Sequence, residues 1–399
     1  MRTSPMLDFP VQEYENRRAV LMEYMKEAGL DGFMVTSMEN TRYYTGLQSV
    51  IWPSKLSTPG LAIFNADGEV YIVGSASAQD TARYTGCVED DHVIHFSRNN
   101  IPGVALTYPE AICDTLIKMG LFEGKLGIEI GRGTRLHLQM QWMDEIREKM
   151  SGLELVDASE IIWKQRAIKS PAEIEVIRKV CRLNELCYKK VFESLVPGKT
   201  TEAEMFRIYA QEAFRLHCEN VSPMGMFFGN RSILGNCPQS EKVVFENKPH
   251  NTVFIDGGPI YQGYHSDIIR VGVIGGLNDK QKSLLAASDD ALSFSLDMIR
   301  DGVSAKDVCN KLDAHIRTTS EAEHYCMYGW MGHGIGLEIH EEPELSADNE
   351  FIIRKGMVLA IEPLFGTPDF GIVGNEQNIL VTEDGYELLT PSSTRPYIL

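Results

Sequence analysis

No apolar run in this 399-residue chain approaches the roughly 20 residues that cross a bilayer, and the opening MRTSPMLDFPVQEYENRR holds no signal-type apolar core. A cytoplasmic protein without membrane partners is the expectation. Cysteine pairing is missing too. The eight cysteines, from Cys87 to Cys326, form no CxxC pair and no zinc-ribbon spacing, so they read as reduced, mostly buried thiols. Nor is there a basic surplus. With 38 Lys and Arg against 56 Asp and Glu, the formal charge of −18 argues against a nucleic-acid partner but says little about a small substrate.

What remains is an ordinary globular composition, 43% hydrophobic and 24% charged, in a chain too long for one core. Two domains are expected, residues 1–160 and 161–399. In the first, Tyr14, Leu21, Met25 and Ala28 recur at helical spacing over 11–28, with Gly29 as a stop. Strand-like runs follow at 32–37, 60–65, 69–74 and 125–131, so an α/β domain with a mixed sheet is predicted.

Near residues 158–172 the pattern changes. Ser170-Pro171-Ala172-Glu173 reads as a capping box opening a helix, and Thr201-Glu202-Ala203-Glu204 as a second one. Beyond residue 220 come strand-like segments: VVFEN at 243–247, NTVFIDGG, YHSDIIRVGVIGG, GMVLAIEPLF and a last one near ILVTEDG. Helices near 281–300 and 304–318 interrupt them. Strands and helices in blocks predict an α+β domain.

The chemistry is concentrated in that second domain. Asp256 and Asp267 flank a turn-like stretch, and two acids on paired strands repel unless a cation separates them or one is protonated. Alone they would pass for turn aspartates. His333, however, stands among glycines in Gly332-His333-Gly334-Ile335-Gly336, Glu362 ends an apolar run in Ala360-Ile361-Glu362-Pro363, and Glu376 precedes another. A charge at the end of an apolar strand is costly without a partner. Four such acids with one histidine are explained together by shared metal ions, and the donor set suits manganese, iron, cobalt or zinc.

These motifs resemble those of the pita-bread metallopeptidase superfamily, of creatinase, aminopeptidase P and prolidase type. The eleven-residue step from Asp256 to Asp267, HSDIIR, GHGIGLEIHEEP, AIEP and NEQNILVTEDGYELLT follow the order of the family's ligand motifs. KQRAIKSPAEIEVIRKV resembles the opening of its catalytic domain, and ENTRYYTGL part of its N-terminal domain.

The resemblance implies a pita-bread catalytic domain and two divalent ions. Asp267 and Glu376 would bridge them, Asp256 would complete one shell, and His333 and Glu362 the other. It further implies Glu362 as the base, His340 as a contact to substrate or intermediate, a homodimer, and hydrolysis of an amide-type C–N bond in a short peptide, by default Xaa-Pro.

Departures from the family keep other readings open. No histidine lies between His217 and His250, where Asn236, Cys237 and Pro238 stand, and Glu344 occupies a place where prolidases carry an arginine. Glu344 and Asn236 would suit a cationic or zwitterionic small molecule, as in a creatinase-like hydrolase or a dimethylsulfoniopropionate-lyase-like enzyme. Trp52 and Lys55 are further candidates, as pocket wall and anion contact. An inactive binding protein is a third reading, against which all five ligand types are retained.

Overall fold

The computed structural model describes residues 3–54, 58, 60–235, 237–326, 329–390 and 393–399. The chain divides into two compact units, residues 1–165 and 166–399.

The first unit is built on a six-stranded mixed sheet. Its spatial order runs Val93–Phe96, Val70–Ser75, Leu61–Asn65, Gly32–Val35, Gly124–Ile128 and Leu153–Asp157. Helix Val11–Ala28 ends where Gly29 takes a left-handed conformation that costs glycine nothing. Ala28 is exposed, whereas Arg17 and Arg18 are buried on the apolar face. The reason is capping at a distance. Arg17 Nη1 donates to Tyr43 O (3.0 Å) and Arg18 Nε to Tyr44 O (2.8 Å), satisfying carbonyls at the end of helix Met38–Thr45.

The second unit has two α+β parts. Helices Pro171–Ser194 and Glu202–Arg215 pack on a four-stranded sheet ordered Tyr397–Ile398, Ile268–Val273, Thr252–Gly257 and Gly225–Phe228. Helices Asp279–Met298 and Ala305–Ile316 pack beside a second sheet, ordered Gly332–Gly334, Val358–Ile361, Gln377–Val381 and Tyr386–Leu388.

The box at Ser170 forms in full, with both reciprocal bonds. The one at Thr201 forms by half: Thr201 accepts from Glu204 N, but the Glu204 side chain turns to Arg207 (2.8 Å). VVFEN is not a sheet strand. Its backbone groups are spent on the loop at 198–202, through Gly198 N to Phe245 O (2.7 Å), Phe245 N to Thr200 O (2.8 Å) and Glu202 N to Val243 O (3.1 Å). All eight cysteines are free, six of them buried.

Candidate metal centre

Asp256 lies near the end of strand Thr252–Gly257, opposite Ile269 on one side and Gly225 on the other. The chain then turns through Gln262 (φ 49°) and Gly263 (φ 80°), a left-handed pair suited to a two-residue hairpin, and returns with Asp267 just before strand Ile268–Val273. Both acids thus belong to the first sheet. The neck of this hairpin is held from the helix side, where Asn184 Nδ2 donates to Gly257 O (2.9 Å) and to Ser266 Oγ (3.1 Å).

The second sheet brings the other candidates. His333 pairs with Ala360 on strand Val358–Ile361, whose end carries Glu362. Backbones approach so closely here that a Cβ on Gly332 would stand 2.4 Å from Ala360 O, and one on Gly334 2.5 Å from Glu342 O. That is why glycines flank this histidine. Glu376 precedes strand Gln377–Val381, which pairs with the other edge of Val358–Ile361.

Two buried side chains join the sheets under this cluster. Asn378 clamps the Asp267 backbone from both sides, accepting from Asp267 N (3.0 Å) and donating to Asp267 O (2.5 Å). Arg270 donates to Glu376 O (2.7 Å) and to Gln377 Oε1 (3.1 Å). Neither residue was singled out by sequence reasoning; an asparagine and an arginine inside strands carry no local sign of a role.

In the resulting cluster, three sets of ligand atoms each lie within 4.8 Å of one another. They are Asp256, Asp267 and Glu376; His333, Glu362 and Glu376; and Asp267, His333 and His340. His333 Nδ1 faces Gly334 O (3.0 Å), which leaves Nε2 directed at the acids, 3.2 Å from Glu362 Oε1 and 3.8 Å from Asp267 Oδ2.

Burial, and then mutual repulsion, push the carboxyls of Asp256, Asp267 and Glu376 well above the usual range. Burial raises Glu362 to about 8. His333 and His340 are pulled down to about 4, first by burial. Neutral imidazole is the form that ligates metal.

The fit of a cation can be judged from unpaired atoms. Asp267 Oδ1, His333 Nε2 and both Glu376 carboxylate oxygens are buried with no hydrogen-bond partner. Such atoms cost about 1–3 kcal/mol each when left so. Divalent cations would satisfy all four, and an oxygen-rich set with one imidazole is their chemistry.

These residues border a cavity of about 630 Å³ lined by Asp256, Asp267, Glu362 and His340, with Met224, Phe254, Trp330 and Leu364 on apolar parts of its wall. Residues 175–383 match the model of metallopeptidase family M24, and residues 17–168 that of the creatinase/prolidase N-terminal domain. The chain belongs to metallopeptidase family M24.

Relatives within the family agree. The Xaa-Pro dipeptidase of Pyrococcus horikoshii is 27% identical over 377 residues, covering 93% of this chain and 95% of its own. That of Pyrococcus furiosus is 30% identical over 270 residues, 66% of this chain and 73% of its own. Among solved structures, the prolidase from Pyrococcus furiosus superposes with a TM-score of 0.76 at 25% identity, covering 93% and 99% of the two chains. An X-Pro aminopeptidase from Thermotoga maritima reaches 0.80 at 20% identity over 96% and 99%, a likeness of fold alone. The architecture is therefore an N-terminal creatinase-like α/β domain followed by a pita-bread catalytic domain of metal-dependent peptidases.

The other described residues singled out from the sequence are not among the ligand sets. Glu344 is half-buried and is not among the residues lining the cavity. Trp52 is half-buried in a turn of the first unit, its amide donating to Ser49 O (3.4 Å). Lys55 and Asn236 lie outside the described residues, although Cys237 and Pro238 beside Asn236 do line the cavity.

Glu341, inside the histidine motif but given no role from sequence, is buried between Arg166, which donates to Oε1, and Lys169, whose Nζ is 3.1 Å from Oε2. Burial raises this carboxyl, yet the two cations outweigh it and hold Glu341 at about 2.

Proposed function

We propose that this protein is a dinuclear-metal peptidase cutting the amide bond that precedes proline in short peptides. The observation that carries the reading is the set of buried, partnerless ligand atoms on Asp267, His333 and Glu376, beside Asp256 and Glu362. Asp267, His333 and Glu376 each occur in two of the three ligand sets, and of these the two carboxylates, with two oxygens apiece, are the ones able to bridge two ions. Manganese is the ion expected, with iron, cobalt or zinc compatible with the same donors. The names of the Pyrococcus relatives support proline as the residue recognised. The resemblance to creatinase-type enzymes supports a homodimer.

Divalent cations so held supply Lewis acidity, polarising the scissile carbonyl and making a water acidic near neutral pH. Glu362, on the cavity wall, takes the water's proton at its carboxylate and passes it to the leaving nitrogen. His340 faces the same cavity and hydrogen-bonds the substrate as charge develops on it.

Purified protein should bind about two manganese ions per chain, and Asp267→Ala or Glu376→Ala should remove both. Metal analysis after gel filtration checks this; full occupancy in either variant removes the bridging assignment.

The described cavity lining contains no lysine or arginine. A dipeptide places a free carboxylate one residue past the scissile bond, where a cation would normally receive it. Gly-Pro-Ala should therefore be cut with a kcat/KM at least about tenfold above Gly-Pro. Parallel assays with manganese and with a chelator test the assignment, and equal rates on both peptides would remove the distinction. The same lining keeps a second reading in play, a small cationic or zwitterionic substrate, which creatine-like and sulfonium compounds in the same assay would reveal.

A further inference from the structure

We infer that Trp330 is a specificity-determining residue, an indole wall that receives the ring of the residue on the leaving side of the scissile bond. The inference rests on the peptidase reading above and names what that site selects. Trp330 lines the same cavity as Asp256, Glu362 and His340, and is only half-buried.

Its backbone is pinned next to the candidate ligands. Met331 N donates to Leu345 O (3.0 Å), Leu345 N to Gly332 O (2.8 Å), and Glu362 N to Met331 O (3.1 Å). The chain at Trp330 is therefore anchored through its neighbour Met331 to the segment that carries Glu362.

The ring itself is packed against both histidines. Its centroid lies 5.4 Å from that of His333, at 79°, and 5.4 Å from that of His340, at 63°, while the two imidazoles are 4.2 Å apart. Edge-to-face contacts of this kind fix ring orientation. Trp330 thereby holds His340 in place as a positioning residue, and presents its remaining surface to the cavity.

Ile339, Phe254, Met224, Leu364 and Ile372 continue the apolar wall. A surface of this chemistry takes a saturated, rigid group well. The pyrrolidine of proline is such a group: it has no side-chain rotamers to lose, and its C–H bonds, polarised by the amide nitrogen, meet an electron-rich indole. An alanine at the same position offers one methyl and leaves most of the wall bare.

The test compares kcat/KM on Gly-Pro-Ala and Gly-Ala-Ala for the full-length, manganese-saturated protein and its W330F and W330A variants. W330A should lower the proline-to-alanine ratio by about tenfold or more, chiefly through a higher KM for the proline peptide, and W330F should recover much of it.

A second readout is tryptophan emission, since the chain has only four tryptophans. Adding the product-like dipeptide prolylalanine should shift emission in the wild type and not in W330F. This arm decides the matter if W330A does not fold, and a shift that persists in W330F overturns the inference. An unchanged ratio in W330A, with an active wild type, overturns it while leaving the peptidase reading standing. A wild type inert toward both peptides overturns that reading, and this inference with it.

Discussion

Glu362→Gln should lower kcat by about 10²–10⁴-fold while leaving KM within a few-fold, when measured at saturating manganese. The amide preserves the shape of the side chain and one oxygen. What it removes is the capacity to accept a proton. Glu362 sits at the end of an apolar strand, with Oε1 3.2 Å from His333 Nε2, and faces the cavity that also holds Asp256 and His340.

Burial lifts this carboxyl to about 8. A cation beside it must reverse that shift, so the group loses its proton as metal enters and then regains one during turnover. The same reasoning gives a sign for metal binding. Acids with raised pKa values hold their protons at low pH, and apparent affinity should rise with pH toward 8. Near-normal turnover by the glutamine variant would show that another group activates the water.

Much of this cluster is legible in the sequence, and the reason is local. A carboxylate at the end of an apolar strand contradicts its own surroundings, and Asp267, Glu362 and Glu376 each do so within a few residues of sequence. Helix starts are local in the same sense, and the box at Ser170 needs only four residues to be recognised. What the local pattern hides is whatever depends on a partner far away in the chain. Arg17 and Arg18 look like surface residues until the end of the helix at 38–45 is set beside them. VVFEN has a strand's composition, but its bonding partners are the loop at 198–202 and not a sheet.

Asn378 and Asp267 are 111 residues apart, and Arg270 and Glu376 are 106 apart, so no spacing rule could join them. Trp330 is illegible in the sequence for a different reason. A tryptophan three residues before a candidate ligand is most often core, and only the two imidazoles packed against it show otherwise. Glu344 was weighed for the opposite reason, as a change of charge inside a recognisable motif. Its charge acts on His333, but it is not among the residues that line the cavity.

Glu341→Gln should cost about 3–5 kcal/mol of stability, because it leaves two buried cations short of their counter-charge. Arg166, Lys169 and Glu341 have almost no exposed side-chain surface, and Glu338, 3.1 Å from Arg166 Nη2, is the one partly exposed member of the network. One acid would then have to serve both cations.

The pH dependence of this stability has a definite sign. Glu341 is held at about 2, against 4.5 for an unperturbed side chain. A carboxyl depressed on folding contributes its stability above the unfolded pKa, and loses it as pH falls through the folded one. The window is therefore roughly pH 4.5 down to 2, and the contribution about 3 kcal/mol. Guanidinium melts of wild type and E341Q at pH 7 should differ by that amount, and the difference should shrink as pH approaches 3. The network also holds the segment bearing His340, since Glu341 N donates to Gly334 O (2.8 Å) and its carboxylate accepts from Glu338 N (3.2 Å). The folded fraction of E341Q should consequently show a lower kcat than the wild type with its metal content unchanged. A variant as stable as the wild type at pH 7 would mean that Glu338 and water already balance Arg166 and Lys169.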